Sequence, residues 1–370
     1  MSTKLAERLP DKTRVRAARA ARVALLGTGN VGSAVWARLA AWNGTPLATR
    51  VSLVHVANSR HAISNRFGVP DRGNALLQAP GAHRSSLESV APALAGKGER
   101  IVIDATASEA VAERHAEWLA QGIHVVTACK LGQGTHLSRW RAIREACRIG
   151  GSRYGDSATV GAGLPLLRSI RDLRAGGDRI HAIAGVLSGS LAWLFHHYDR
   201  GFDDGTRPFS ALVRQAREAG YTEPDPREDL SGEDVRRKLL ILARAAGVEL
   251  EAPQVEVASL VPPALAALAQ GDVDAALPAL DAPLRARYAE ACKRGEKLRF
   301  IARLEDGRAR VGLEALAPDD PLAGGAGTDN RVAIWSDRYC AQPLVVQGPG
   351  AGAEVTAAAL LDDVLRIAAG

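Results

Sequence analysis

Arg22-Val23-Ala24-Leu25-Leu26-Gly27-Thr28-Gly29-Asn30-Val31-Gly32 runs an apolar stretch directly into a glycine pattern. A short, uniformly apolar run ending in glycine reads as a buried parallel strand. The G-x-G-x-x-G pattern is weak by itself, but after a strand and at the start of a helix it has a mechanism. Gly27 permits the tight turn, Gly29 leaves room for a pyrophosphate, and Gly32 lets helix and strand pack closely. With Thr28, Asn30 and Val31 the loop turns its amides toward phosphate charge at a helix N-terminus. The plain alternative is a glycine-rich turn in an unrelated α/β sheet.

Working outward, the pattern predicts a helix from Val31 to Trp42 and a strand over Val51 to Ala57. Further strands follow over Arg100 to Thr106 and His124 to Thr127, with a helix around Glu109 to Gln121 between them. This alternation argues for an α/β, Rossmann-type parallel sheet, placing a dinucleotide-binding domain at 22–150. Beyond it the pattern changes: a strand at Ile180 to Leu187, then helices at Ser210 to Ala219 and Ser231 to Ala246. Asp306-Gly307 marks a hairpin between Lys297–Leu304 and Arg308–Leu316. A second, α+β domain with an antiparallel component is therefore expected over 151–345, with short packed helices from Pro253 to Pro283. The last segment, 346–370, is expected to return to the nucleotide-binding domain through a helix at about Thr356 to Ile367.

The chain has 370 residues, 46% hydrophobic and 24% charged, enough for two domains with cores of their own. Its net charge of +6 would suit a nucleic-acid partner, but residues 1–22 hold seven basic and two acidic side chains. Nearly all the excess therefore belongs to the N-terminal segment, read as a basic flexible tail over 1–21. No nucleic-acid partner is indicated. Cys129, Cys147, Cys292 and Cys340 stand far apart, without the spacing of a zinc site or a redox pair. The longest apolar stretch, Leu239 to Ala246, is interrupted by Arg244 and too short to span a bilayer. With no secretory signal visible, a cytoplasmic protein without membrane contacts is expected.

The densest chemistry lies in Tyr221-Thr-Glu223-Pro-Asp225-Pro-Arg-Glu-Asp229-Leu-Ser231-Gly-Glu-Asp234-Val-Arg-Arg-Lys238. The two prolines are expected to hold Glu223 to Pro226 extended. Ser231 is a natural N-cap, placing Asp234 and Lys238 one turn apart on one helix face. Spacing alone leaves plain readings open: a capping box at Asp234, a helical ion pair, and a solvated loop carboxylate at Glu223. Nicotinamide cofactor choice depends on the end of the second strand, where a carboxylate would bind the ribose hydroxyls of NAD. Asn58-Ser59-Arg60 has none, and Arg60 could grip a 2′-phosphate, which favours NADP without excluding NAD.

The whole segment resembles the homoserine dehydrogenase family signature. Val186-Leu-Ser-Gly-Ser190, Val160-Gly-Ala-Gly-Leu-Pro165, Thr127 with Lys130, and Gly350-Ala-Gly352 before Val355-Thr356-Ala357 are similar to other family segments, in the family's order. The likeness runs from about residue 22 to the end and is closest to the dehydrogenase part of bifunctional aspartate kinase–homoserine dehydrogenases, without kinase or regulatory domain. It implies a small-molecule reaction, the NAD(P)-dependent interconversion of homoserine and aspartate semialdehyde in threonine and methionine biosynthesis. It also implies a homodimer. By resemblance Lys238 transfers the proton, with Lys130 near substrate and nicotinamide. Glu223 and Asp234 bind substrate, Gly189 and Ser190 belong to its pocket, and Thr106 and Gly352 line the cofactor. The carbonyls of Val160, Ala162 and Leu164 are implied to bind sodium or potassium.

Two positions depart from the family. Cys129 stands where an asparagine is expected, as a packing substitution or as a reactive thiol. Ser157 stands where the cation site would have an acidic residue, with Asp156 beside it. Two other functions remain open: a different Rossmann-type amino-acid or semialdehyde dehydrogenase, and an NAD(P)-binding sensor without catalysis.

Overall fold

The computed structural model describes residues 20–70, 73–200 and 207–370. The basic tail expected over 1–21 lies outside them except for its last two residues. Among the described residues the strands form two sheets. The first contains β1 (Ala21–Leu26), β2 (Val51–Ala57), β3 (His61–Ser64), β4 (His83–Arg84), β5 (Arg100–Asp104), β6 (His124–Thr127) and β7 (Tyr154–Gly155), in the order β4-β3-β2-β1-β5-β6-β7. β1 is central and pairs in parallel with β2 and β5.

The apolar uniformity of β1 has a direct cause. Val23 and Leu25 enter one core with Trp36, while Ala24 and Leu26 enter another with Val102 and Trp118. Both faces of the strand are covered, so no polar alternation survives. The Ala353–Ala368 helix adds Ala357, Leu360 and Val364 to the Val23 core, and Glu354 pairs with Arg38 of the Asn30–Ala41 helix at 3.1 Å. The chain end thus packs on the first sheet, beside the glycine loop's own helix.

The second sheet contains β8 (Ile180–Val186), β9 (Val255–Val257), β10 (Lys297–Glu305), β11 (Arg308–Leu316), β12 (Asp329–Ser336) and β13 (Leu344–Pro349), ordered β13-β12-β8-β10-β11-β9. Asp306 (φ +50°) and Gly307 (φ +74°) make the two-residue turn between β10 and β11, a backbone shape that matches the twist of the strands. The Leu166–Ala175, Gly189–Arg200, Phe209–Glu218 and Glu233–Ala245 helices share one large core with this sheet. No helix among the described residues is long and apolar enough to cross a membrane.

The local departures from expectation have simple reasons. Pro226 does not remain extended but opens a short helix, Pro226–Leu230, capped by Asp225, because its fixed φ suits the first helical position. The next helix begins at Glu233, with Gly232 (φ +79°) as its N-cap instead of Ser231. A side chain at 232 would press on Phe300 at 2.9 Å, so glycine serves both the turn and the packing. Ser231 instead donates to the carbonyl of Glu228 and accepts from the amide of Glu233. The helix expected over 109–121 is divided into Glu109–Glu113 and His115–Ala120.

Candidate active site

The glycine loop is shaped by what its residues would otherwise touch. A Cβ on Gly32 would lie 1.9 Å from the carbonyl oxygen of Gly27, and one on Gly27 (φ +90°) would lie 2.7 Å from the Ala105 carbonyl. Gly29 faces open space and is the N-cap of the Asn30–Ala41 helix, with no acidic side chain in its first turn. These residues fit a dinucleotide: two glycines are required by close packing, and the third leaves a cradle facing free helix amides. The end of β2 carries no carboxylate. The Asn58 side chain accepts the amides of Arg60 and His61, closing the turn and leaving Ser59 and Arg60 exposed.

From this loop a chain of contacts leads across the molecule. Gly27 abuts Ala105 and Thr106, just after β5. Asp104, fully buried at the end of β5, accepts the amide and hydroxyl of Thr106 at 2.9 and 2.6 Å, and the hydroxyl of Thr127 at 3.1 Å. Thr127 ends β6 and in turn accepts the amide of Cys129 at 2.8 Å. Lys130 comes next, and its ammonium crosses to Asp234 of the Glu233–Ala245 helix at 3.3 Å. The other oxygen of Asp234 holds Lys238 at 2.7 Å, and Lys238 also donates to the carbonyl of Leu187 at 2.7 Å. The 130–135 loop is seated on this helix by buried Arg244, which donates to the carbonyls of Gln133, Thr135 and Leu250.

Lys130, Asp234 and Lys238 therefore form one cluster at the seam between the two sheets. Burial depresses the pKa of Lys238; Asp234 opposes that effect and Lys130 adds to it, leaving the net direction downward. For Asp234 burial alone would raise the carboxyl, yet the two lysines outweigh it and hold it well below the usual carboxylate range.

Beside the cluster, Ser190 donates to Asp229 at 2.6 Å and interacts with Ser188 at 2.8 Å. Asp229 also accepts the backbone amide of Glu223 at 2.8 Å, so one carboxylate ties the Glu223 loop to the start of the Gly189–Arg200 helix. The Glu223 residue is exposed, and a Cβ on Gly189 would stand 3.1 Å from the carbonyl oxygen of Thr328, a tight fit. Sequence reasoning passed over Asp229 as a site residue. Its place in the acidic pair Glu228-Asp229 was the available signal. Gly352 (φ +125°) is the N-cap of the Ala353–Ala368 helix and has a backbone shape that favours glycine.

Val160, Ala162 and Leu164 lie in the turn before the Leu166–Ala175 helix, where Gly161 and Ala162 have φ of +73° and +48°. The nearby carboxylates have other partners. Asp156 is clamped by Arg171 and Gln133, and Asp363 accepts both the amide and hydroxyl of Ser157. The Leu164 carbonyl already accepts the Leu166 amide at 2.8 Å. Among the described residues no cluster of three His, Cys, Asp or Glu side chains could hold a metal ion. Cys129 is 4% exposed, and burial, reinforced by Asp104, pushes its thiol up to about 12. That favours the packing reading over a reactive thiolate.

The first sheet and its glycine loop define a dinucleotide-binding architecture, with the lysine–carboxylate cluster beside it. The model of the family described as homoserine dehydrogenase matches residues 165–365, and that of its NAD binding domain matches 27–154. The chain belongs to the homoserine dehydrogenase family. It is 39% identical to bifunctional aspartokinase/homoserine dehydrogenase 2 of Escherichia coli (strain K12), over 95% of this chain and 44% of that one. It is 35% identical to a homoserine dehydrogenase of Schizosaccharomyces pombe, over 93% and 94% of the two chains. The chain spans less than half the length of the bifunctional relatives it matches. Among solved structures, a Candida auris protein of unknown function superposes with a TM-score of 0.86 at 34% identity, over 94% of this chain and 98% of that one. A hyperthermophilic archaeal homoserine dehydrogenase in complex with NADPH shares the fold at a TM-score of 0.70 and 19% identity, over 93% and 96%.

Proposed function

We propose that this chain catalyses the reversible NAD(P)-dependent interconversion of L-homoserine and L-aspartate 4-semialdehyde, with Lys238 moving the proton. The observation that carries this reading is the Lys130–Asp234–Lys238 cluster at the seam, with its lysine of lowered pKa. A nicotinamide dinucleotide held there would supply hydride acceptance in oxidation and hydride donation in reduction. Gly27, Thr28, Gly29, Asn30, Val31 and Gly32 would hold the pyrophosphate, while Thr106 and Gly352 would line the cofactor. Arg60, exposed beside Ser59, would meet a 2′-phosphate and favour NADP.

In oxidation Lys238 as free amine takes the hydroxyl proton; in reduction its ammonium returns a proton to the aldehyde oxygen. A lysine at its reference pKa of about 10.4 would be mostly protonated at neutral pH, so the downward shift helps the oxidative direction. Lys130 helps hold that pKa down beside the reacting group. Glu223, with its exposed carboxylate, would bind the substrate ammonium together with Asp234, and Gly189 and Ser190 would border the pocket.

Purified protein with homoserine should increase nicotinamide absorbance with NADP, and less readily with NAD. Absence of turnover with either cofactor, across pH and with sodium or potassium added, would reject the reading. Lys238→Ala should lower turnover by about 10²–10⁴-fold with cofactor affinity nearly unchanged. An equal loss of cofactor binding would make that lysine structural.

A sodium or potassium ion is proposed at the carbonyls of Val160, Ala162 and Leu164, in a site without a carboxylate of its own. Thermal stabilisation by sodium or potassium chloride over choline chloride at equal ionic strength tests it. A homodimer through the second sheet is also proposed. It is supported by Trp335 and Val345, which are only partly buried on the small cluster around Ile301 and Ala333. Light scattering at the monomer mass would refute it.

A further inference from the structure

We infer that Asp104 is a positioning residue for Lys130, holding the lysine's loop from both sides; the inference rests on the proposed role of Lys130. Asp104 is fully buried, and no lysine or arginine among the described residues contacts it. A buried carboxylate in that setting needs its acceptor sites filled. One oxygen accepts the amide and hydroxyl of Thr106. The other accepts the hydroxyl of Thr127 at 3.1 Å and faces Nε2 of His115 at 3.0 Å.

Two arms run from this second oxygen to the segment that carries Lys130. The first passes through Thr127, whose hydroxyl receives the amide of Cys129, one residue before the lysine. The second passes through His115, also fully buried. Its Nε2 faces the carboxylate, and its Nδ1 shares a hydrogen bond with the hydroxyl of Tyr154 at 3.0 Å. Burial keeps the Tyr154 phenol protonated, with its pKa well above the ordinary value. That hydroxyl lies directly beneath Gly132: a Cβ there would stand 2.3 Å from it and 3.2 Å from Nδ1 of His115. Lys130 is thus bracketed by Cys129, hung from Thr127, and Gly132, resting on Tyr154. Only Lys130 projects from the bracket to the Asp234 carboxylate across the seam.

Single-turnover hydride transfer from homoserine at saturating cofactor tests this in wild type, Asp104→Asn, Lys130→Met and the double variant. Asparagine keeps the shape but replaces one acceptor oxygen with an NH2 donor. Either the Thr106 pair or the Thr127 and His115 pair then loses its acceptor, and the side chain can no longer hold both. The expected slowing is about tenfold or more in the wild-type background, the scale of a small misplacement at a reacting centre. In the Lys130→Met background the same substitution should change the rate within about twofold, since the group it positions is absent. Equal slowing in both backgrounds, or none in the first, overturns the inference by showing a general structural role or no role.

Should Asp104→Asn fail to fold, Tyr154→Phe removes only the hydroxyl at the end of one arm. It should show the same background dependence, and its absence likewise overturns the inference. A normal rate in Lys130→Met would overturn the inference together with the role of Lys130, leaving the reaction standing. An inactive wild type would instead overturn the proposed reaction.

Discussion

Two buried or half-buried carboxylates meet at this site, one from each sheet's side, and they are satisfied in opposite ways. Asp104 on the first side meets two threonine hydroxyls, a backbone amide and an imidazole nitrogen, with no lysine or arginine among the described residues in contact with it. Asp234 on the second is shared by two ammonium groups. Neutral hydrogen bonds fix geometry without setting up a strong pull on a neighbour's proton. Shared charges do the reverse, coupling the protonation of each group to the others. One side of the site therefore holds its shape and the other adjusts its proton affinity.

The contrast is broken most severely on the shape-holding side. Gly32→Ala forces a methyl into the Gly27 carbonyl at 1.9 Å, a clash with backbone that no side-chain rotation relieves. Dinucleotide binding by fluorescence should be lost, and the melting temperature should fall by several degrees, as expected for about 1–3 kcal/mol of overpacking. A variant that binds cofactor normally would show that the loop has slack the close packing denies.

On the charge-coupled side, the same contrast predicts shifts in opposite directions. The rate of homoserine oxidation should rise with pH to a plateau, with an apparent pKa below the reference lysine value of about 10.4. Asp234→Asn removes the anion that favours protonated Lys238, so the profile should move to lower pH. Lys130→Met removes a cation that opposes protonation, so it should move to higher pH. Profiles of kcat/KM against pH check both signs; shifts in the same direction would show that the cluster is not the titrating unit.

The smallest effect concerns the thiols. Burial holds Cys129 as a protonated thiol, whereas Cys292 and Cys340 are exposed. Brief alkylation with iodoacetamide should label the exposed pair and leave turnover within about twofold, because the buried thiol offers almost no thiolate. Labelling of Cys129 in mass spectra, with loss of activity, would mean that this part of the site opens in solution.

The legible part of the site is the part built from neighbours in sequence. Gly27 to Gly32 declare their turn because Gly32 must clear the Gly27 carbonyl within the same loop, and Asp234 with Lys238 are one helical turn apart. Elements of both sheets were readable for the same reason: β1 shows the unbroken apolar run of a strand covered on two faces, and Asp306-Gly307 is a turn in two residues. What stayed hidden depends on long-range contact. Lys130 meets Asp234 from another domain. Asp104 at the end of a buried strand finds His115 and Thr127 from separate elements, and Asp229 links Ser190 to Glu223. A sequence shows such residues only as single polar positions. Gly232 misled in another way: Ser231 carried the expected capping chemistry, but the left-handed turn and the pressure of Phe300 moved the cap one residue on.

The carbonyl of Leu187 has a consequence for how a proton moves. An ammonium has three N–H bonds, and in Lys238 two point at fixed acceptors, Asp234 and Leu187. Both acceptors remain served when the group is a neutral amine, which still has two N–H bonds. The only position that differs between the two protonation states is the third, an N–H in one and a lone pair in the other. Lys238 can thus change from donor to acceptor along a single direction with no rotation of its side chain, and the same nitrogen geometry serves the forward and the reverse reaction.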